Sequence, residues 1–108
     1  MEGFQLMNNW ELYDNVPYAQ PLHVSEQGRI LRFTLRPGQT VKQHTPPEWP
    51  INIVIISGRG LFTGADCLPV EFGADSLVIF DTGETHSIQA LDENLVFVAF
   101  MQGEPAYA

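Results

Sequence analysis

The sequence contains a single cysteine, Cys67, among 108 residues. One cysteine cannot form an intramolecular disulfide, and it also excludes a metal cluster held by cysteines alone. Basic residues are scarce as well: five Lys and Arg stand against thirteen Asp and Glu, which gives a formal net charge of −8. This charge repels phosphate backbones and anionic bilayers, so we expect neither nucleic acid nor a membrane surface as a partner.

Long apolar runs are also missing. The longest is far short of the roughly 20 residues that a membrane-spanning helix needs, and the first residues lack the basic and apolar regions of a secretory signal. We therefore expect a cytoplasmic protein. The length of 108 residues predicts one domain that is large enough to bury a sizeable core.

No helix of ordinary length is predicted after Gly28. Short β-branched and aromatic runs instead alternate with turns that contain glycine and proline, a pattern typical of an all-β sandwich or barrel. The predicted strands span residues 29–35, 40–44, 51–56, 60–63, 76–80, 85–90 and 95–101.

Residues 1–27 have a different character. They are too apolar for a disordered tail, and Pro17 and Pro21 argue against a long helix. We interpret them as an arm that packs on the barrel or on a partner subunit, with the barrel itself spanning residues 28–108. The runs 51–56 and 95–100 are apolar on both alternating faces apart from Asn52, so their outer faces need a cover. The arm, a second subunit or both can supply it, and we expect a homodimer.

Two histidine-containing stretches stand out in this strand pattern. The first is GQTVKQH, ending at His44 and followed by Gly58, and the second is GETH, ending at His86. Together they resemble the first and second motifs of the cupin superfamily, and the similarity runs from about Ile30 to Phe100. The resemblance implies a small antiparallel β-barrel, the double-stranded β-helix or jelly roll. It also implies a divalent metal at the barrel mouth, held by imidazoles and one carboxylate.

Two of the four ligand positions in that pattern hold other residues. His44 and His86 match histidine positions, but Pro46 stands at the second histidine of the first motif and Ile51 at its glutamate. Sites for transition metals normally have three or more protein ligands, so we expect no tightly bound metal. Glu48 is the one carboxylate close enough in sequence to complete a Zn, Fe, Mn or Ni site with the two histidines. A solvated loop acid is the alternative interpretation of Glu48, and we prefer it.

Strand alternation predicts an apolar cup around the two histidines. If His44 faces inward, Lys42 and Pro46 share its face, although Lys42 can instead turn to solvent. Such a cup suits a small, partly apolar molecule with one or two polar groups. The predicted lining residues are His44, His86, Lys42, Pro46, Trp49, Ile51, Ile53, Ile55, Phe80 and Ile88.

Three classes of function follow from this reading. The chain can be a metal-poor, small-molecule-binding module, a metal-dependent dioxygenase, isomerase or decarboxylase, or an assembly dimer with a filled barrel. The loss of two ligand positions favours the binding module. Whether any reaction is catalysed stays open at this stage, because a fold supports a site location more strongly than a reaction.

Overall fold

The chain folds into two sheets of antiparallel strands, as seen in a computed structural model that describes residues 1–43 and 47–103. Across these residues no α-helix forms, and so none is long and apolar enough to span a membrane. In the same residues the strands are β1 (Tyr18–Ser25), β2 (Gly28–Leu35), β3 (Thr40–Gln43), β4 (Ile51–Ser57), β5 (Arg59–Thr63), β6 (Val70–Gly73), β7 (Leu77–Phe80), β8 (His86–Ala90) and β9 (Leu95–Gln102).

The prediction of an all-β barrel is confirmed. One sheet has the strand order β1-β2-β9-β4-β7, and the other has the order β3-β8-β5-β6. The seven predicted strands correspond to β2, β3, β4, β5, β7, β8 and β9. Strands β1 and β6 were not predicted, and both are edge strands. The boundary between arm and barrel at residue 28 stays a prediction, although β1 pairs with β2 along most of its length.

Inward-facing residues of the two sheets form one packed core. From β4, Ile51, Ile53 and Ile55 are 8%, 1% and 1% exposed, and they belong to the same cluster as Ile88 of β8. Phe97 stands at the centre of the first sheet, stacked on Phe33 with ring centroids 4.9 Å apart. These side chains pack together between the two sheets, in keeping with the close packing of protein interiors.

The outer face of β9 is buried too. Val96 and Val98 point away from the core, yet they are only 1% and 3% exposed. The N-terminal segment, residues 1–17, lies across this face, where the Thr34 hydroxyl donates to the Glu11 carbonyl oxygen at 2.5 Å. The segment therefore covers part of the apolar outer face of its own sheet.

Arg32 fastens the N-terminal segment to this face. Its side chain is 3% exposed. It donates to the carbonyl oxygens of Leu6, Asn8 and Asn9 at 3.0, 2.9 and 3.0 Å, and to Oε1 of Gln20 at 2.5 Å. Hydrogen bonds from a charged donor are stronger than those between neutral groups. One buried guanidinium thus satisfies three carbonyl groups of a segment that has no ladder partner.

Replacing Arg32 with Ala should lower the free energy of unfolding by about 2–4 kcal/mol, because three carbonyls lose their donor and the cover over Val96 and Val98 loosens. Urea denaturation measures the change, and limited proteolysis should cut within residues 1–17. Arg59→Ala is the matched control, since its ion pair with Glu71 is exposed and should contribute no more than about 1 kcal/mol. Equal stability of the two variants would contradict the role given to Arg32.

Candidate functional site

His86 stands where the packed interior meets the loops. It is the first residue of β8, it pairs with Gln43 of β3, and only 9% of its surface is exposed. Its ring stacks on Phe80 with a centroid separation of 4.1 Å and an interplanar angle of 12°. Because directly opposite residues in a sheet point to the same face, Gln43 and His86 both face the barrel interior.

The surroundings of His86 fix its chemical state. Nδ1 lies 3.3 Å from the carbonyl oxygen of Glu84. A carbonyl oxygen only accepts, so the neutral ring carries its proton on Nδ1 and a lone pair on Nε2. Burial lowers the pKa of His86 below its ordinary value of 6.5. The side chain is therefore a neutral hydrogen-bond acceptor at neutral pH.

The edge of His86 reaches a surface depression of about 280 Å³. Its lining comprises Lys42, Gln43, Thr63, Gly64, Cys67, Thr85, His86 and Ser87. Lys42, Ser87 and Thr63 form one cross-strand row on the face opposite to His86. The structure thus shows the second alternative given for Lys42: it is exposed to solvent, and it borders the depression from the outer face of the sheet.

The apolar residues predicted for the cup lie in the core. Ile53, Ile55 and Ile88 are at most 2% exposed, and they pack among other core side chains. Ile51 and Phe80 pair with each other nearer the mouth, at 8% and 4% exposure. Phe80 contacts His86 directly, through the stacking of the two rings.

The other predicted site residues precede β4, and those that the structure describes are exposed. Trp49 is 48% exposed and lies against the backbone of Gly103, where a side chain would collide with its indole ring. Glu48 is exposed. His44 and Pro46 lie outside the described residues, so the predicted proximity of the two histidines stays a prediction.

Two residues near His86 were missed by sequence reasoning. Gln43 was overlooked because the inward face of β3 was assigned by counting from His44, although Val41, which packs against the core, carries the correct signal. Glu84 was overlooked because it reads as an ordinary turn acid. Its carboxylate accepts the backbone amides of Ala65 and Asp81, both at 2.9 Å, and thereby joins two loops.

The described residues do not fit the metal site that the cupin resemblance implies. In residues 1–43 and 47–103 no group of three His, Cys, Asp or Glu side chains is placed to hold an ion. Ile51, at the glutamate position, belongs to the core, and the Glu84 carboxylate is engaged by two amides. Within residues 1–43 and 47–103, His86 therefore has no second metal-binding side chain placed with a third to complete a site.

Comparison with known proteins identifies the fold. No family model matches the sequence, and no curated protein matches it. Among solved structures, an RmlC-like cupin protein from Desulfovibrio desulfuricans has a TM-score of 0.81 and 22% identity, covering 94% of this chain and 96% of that one. An uncharacterized conserved protein with a double-stranded β-helix domain from Klebsiella pneumoniae has a TM-score of 0.88 and 17% identity, covering 99% and 94%.

A third solved structure, the cupin_2 domain of an XRE family transcriptional regulator from Enterobacter cloacae, has a TM-score of 0.72 and 20% identity, covering 84% of this chain and 99% of that domain. At such identities the likeness establishes the fold. The chain has the cupin fold, and the resemblance seen in the two histidine motifs is confirmed at that level.

Stability should fall in mildly acidic solution because of His86. The folded state resists protonation of the buried ring while the unfolded chain accepts the proton, so the stabilisation is complete above the ordinary pKa of 6.5 and declines below it. Urea denaturation at about pH 7.5 and about pH 5.5 should show this loss, and His86→Gln should reduce it. His23→Gln, at an exposed site, should keep the loss of the parent chain. A loss that is unchanged in His86→Gln would contradict the assignment.

Proposed function

We propose that this chain of cupin fold binds a small organic molecule at the depression beside His86. The observation that carries the proposal is the imidazole itself: buried, stacked on Phe80, and oriented by the Glu84 carbonyl so that Nε2 carries the lone pair. Buried polar groups are normally hydrogen-bonded, and a neutral acceptor at the wall of a depression suits a ligand that donates a hydrogen bond.

The surroundings narrow the class of ligand. The lining beside the imidazole is mostly polar, with the hydroxyl residues Thr63, Thr85 and Ser87, and Lys42 borders its outer side. A volume of about 280 Å³ is at the small end of the range for ligand sites. A small aromatic or short-chain molecule with one hydroxyl group for His86 and one acid group for Lys42 matches these features best.

The pair 4-hydroxybenzoate and benzoate tests this role, because the two differ by the hydroxyl group that would donate to Nε2. We expect 4-hydroxybenzoate to bind about 3–10-fold more tightly, as one net hydrogen bond contributes about 0.5–1.5 kcal/mol. Titrations followed by amide chemical shifts measure both constants, and the shifts should centre on residues 42–43 and 85–87, which line the depression. His86→Ala should remove the difference between the two probes.

His23→Ala is the control for that titration, since His23 is exposed and pairs with Glu2 far along the chain from the site. Equal affinity of the parent chain for the two acids, or shifts centred elsewhere, would contradict the proposed site.

We also propose that the site works without a tightly bound transition metal. The support is the described donor set, in which His86 has no neighbouring pair of metal-binding side chains. Elemental analysis after dialysis against a chelator should find far less than one Zn, Fe, Mn or Ni per chain, because two imidazoles alone retain such ions weakly. One ion per chain, lost in both His86→Ala and Glu48→Ala, would instead support the metal-dependent enzyme.

A homodimer is the proposed assembly. The N-terminal segment leaves one side of the outer face of the first sheet uncovered, where Leu77, Ile79 and Phe100 are 60%, 53% and 38% exposed. Contiguous apolar patches of this kind mark interfaces more often than free surface. A second copy that covers this outer patch would bury surface on the scale of a stable contact, above roughly 1,000 Å².

Phe100→Asp should convert the dimer to a monomer, because it places a charge within the outer patch. Light scattering coupled to size-exclusion chromatography at micromolar concentration measures the mass. Val24→Asp is the matched control, since Val24 is 56% exposed at the far edge of the same sheet. A monomeric parent chain would contradict the proposed dimer.

A further inference from the structure

The barrel has a second opening beside the depression at His86, and Gly64 lies in the lining of both. β6 ends the second sheet and β7 ends the first, and each pairs on one side only. The turn between them closes the seam at one end, where the amide of Asp75 donates to the carbonyl of Ile55 at 2.9 Å. Towards the other end the two edges separate, and a groove of about 470 Å³ lies between them. We call it the seam groove.

The floor and walls of the seam groove are apolar. Phe62, Val78 and Phe80 form its floor, at 3%, 8% and 4% exposure, as part of the core. Val70 and Leu68 form one wall, at 49% and 65% exposure. Val70 shares the inward face of its sheet with Phe62, and Leu68 lies in the loop just before β6. Large apolar side chains left this open indicate a surface that gains stability when an apolar molecule covers it.

The charged groups on the lining of the seam groove are both acidic. They are Glu84 and Asp66, at the open end. Glu84 is held in place by the amides of Ala65 and Asp81, and these bonds lower the pKa of its carboxyl group. The Asp66 carboxylate accepts the amide of Leu68 at 3.0 Å. Each carboxylate keeps lone pairs for a further donor, because its oxygens together accept about four hydrogen bonds.

We propose that the seam groove binds an amphiphilic cation, a molecule with an alkyl or aryl body and an ammonium head. The body lies along Val70 and Leu68 over the phenylalanine floor, and the head lies between Glu84 and Asp66. The groove volume is within the range of small-molecule sites. The strands on either side have four residues each, which offers little edge for an added peptide strand.

Three features favour a cation over a neutral or anionic ligand. The two carboxylates attract it directly, and the formal net charge of −8 attracts it at longer range. Aromatic rings add a further preference, because the negative face of a ring attracts an ammonium group. Phe62 and Phe72, in edge-to-face contact at 5.8 Å, both line the groove. An anionic head would instead meet two like charges.

Three probes of one shape separate these contributions: 4-phenylbutylamine, 4-phenylbutanol and 4-phenylbutyrate. They share the apolar body and differ in the charge of the head. We expect the amine to bind several-fold more tightly than the alcohol and the butyrate most weakly, in titrations at low salt followed by amide chemical shifts. The shifts should centre on residues 62–72 and 77–84. Equal affinity of amine and alcohol, or shifts elsewhere, would overturn the proposal.

Substitutions separate the contribution of the acidic end of the groove from that of its apolar wall. Asp66→Asn keeps an acceptor for the Leu68 amide and removes one charge, so it should weaken the amine about 2–5-fold and leave the alcohol unchanged. Val70→Ser should weaken amine and alcohol alike, because it shortens the apolar wall. Asp92→Asn, in the exposed turn between β8 and β9, removes one charge elsewhere and is the matched control. The same loss of amine affinity in Asp92→Asn and Asp66→Asn would show general attraction to an acidic protein and overturn the site.

Different probes and different variants test the seam groove and the depression at His86. His86→Ala removes the discrimination between the two benzoates, whereas Val70→Ser removes affinity for the phenylbutyl probes. The benzoate experiment can therefore fail while the phenylbutyl experiment succeeds, and the reverse also holds. Folding of each variant is checked by the amide spectrum before titration, and Asp66→Asn, at an exposed loop position, keeps the test available if Val70→Ser proves unstable.

Discussion

The burial of β9 on both faces is the constraint on which the rest of the structure depends. Phe97 and Ala99 face the core and Val96 and Val98 face outward, and all four are at most 3% exposed. An outer apolar face of this kind needs a cover, which the N-terminal segment partly provides. That segment has no ladder partner, so its carbonyl groups need donors from side chains. Arg32 donates to three of these carbonyl groups and Thr34 to a fourth, so a buried cation in an acidic chain has a structural role.

The filled interior determines where chemistry can occur. Ile51, Ile53 and Ile55 occupy the space between the sheets as members of the packed core, and the two openings described above lie beyond them, at strand ends and sheet edges. Polar side chains are found where strands end, because the backbone there makes fewer hydrogen bonds within the sheet and water can reach it. His86 is at such a position, buried enough to stay neutral and open enough to contact a ligand. Ile51 stands at the position where the cupin resemblance implies a carboxylate ligand, and its side chain belongs to the packed core.

Much of the fold could be predicted because each central strand carries its own signal. β4 and β9 are long apolar runs between turns, and the two histidine motifs indicated both the barrel and the position of His86. β1 was missed because Pro21 argues against a strand, yet it lies next to an irregularity at the sheet edge, where proline is tolerated. β6 was missed because four residues after Pro69 give too short a pattern.

The site was less predictable than the fold because its geometry depends on register. A shift of one residue moves a side chain to the other face of a sheet, and β3 has four residues with one clear apolar marker, Val41. The sequence therefore allows Lys42 either face of β3, and the pairing with β8 assigns it to the outer face. The seam groove was not predicted from the sequence, because it arises between the edge strands of two different sheets.

Phe80 belongs to both openings of the barrel. Its ring stacks on His86 at one opening, and it lines the floor of the seam groove at the other. Because the ring is part of a close-packed core, it cannot move to enlarge one opening without loosening contacts at the other. Glu84 links the same two places, since its carbonyl oxygen orients His86 while its carboxylate borders the groove. A substitution of Glu84, in the turn before β8, therefore changes both openings at once. Ligand selectivity at one opening cannot be altered through this residue without affecting the other.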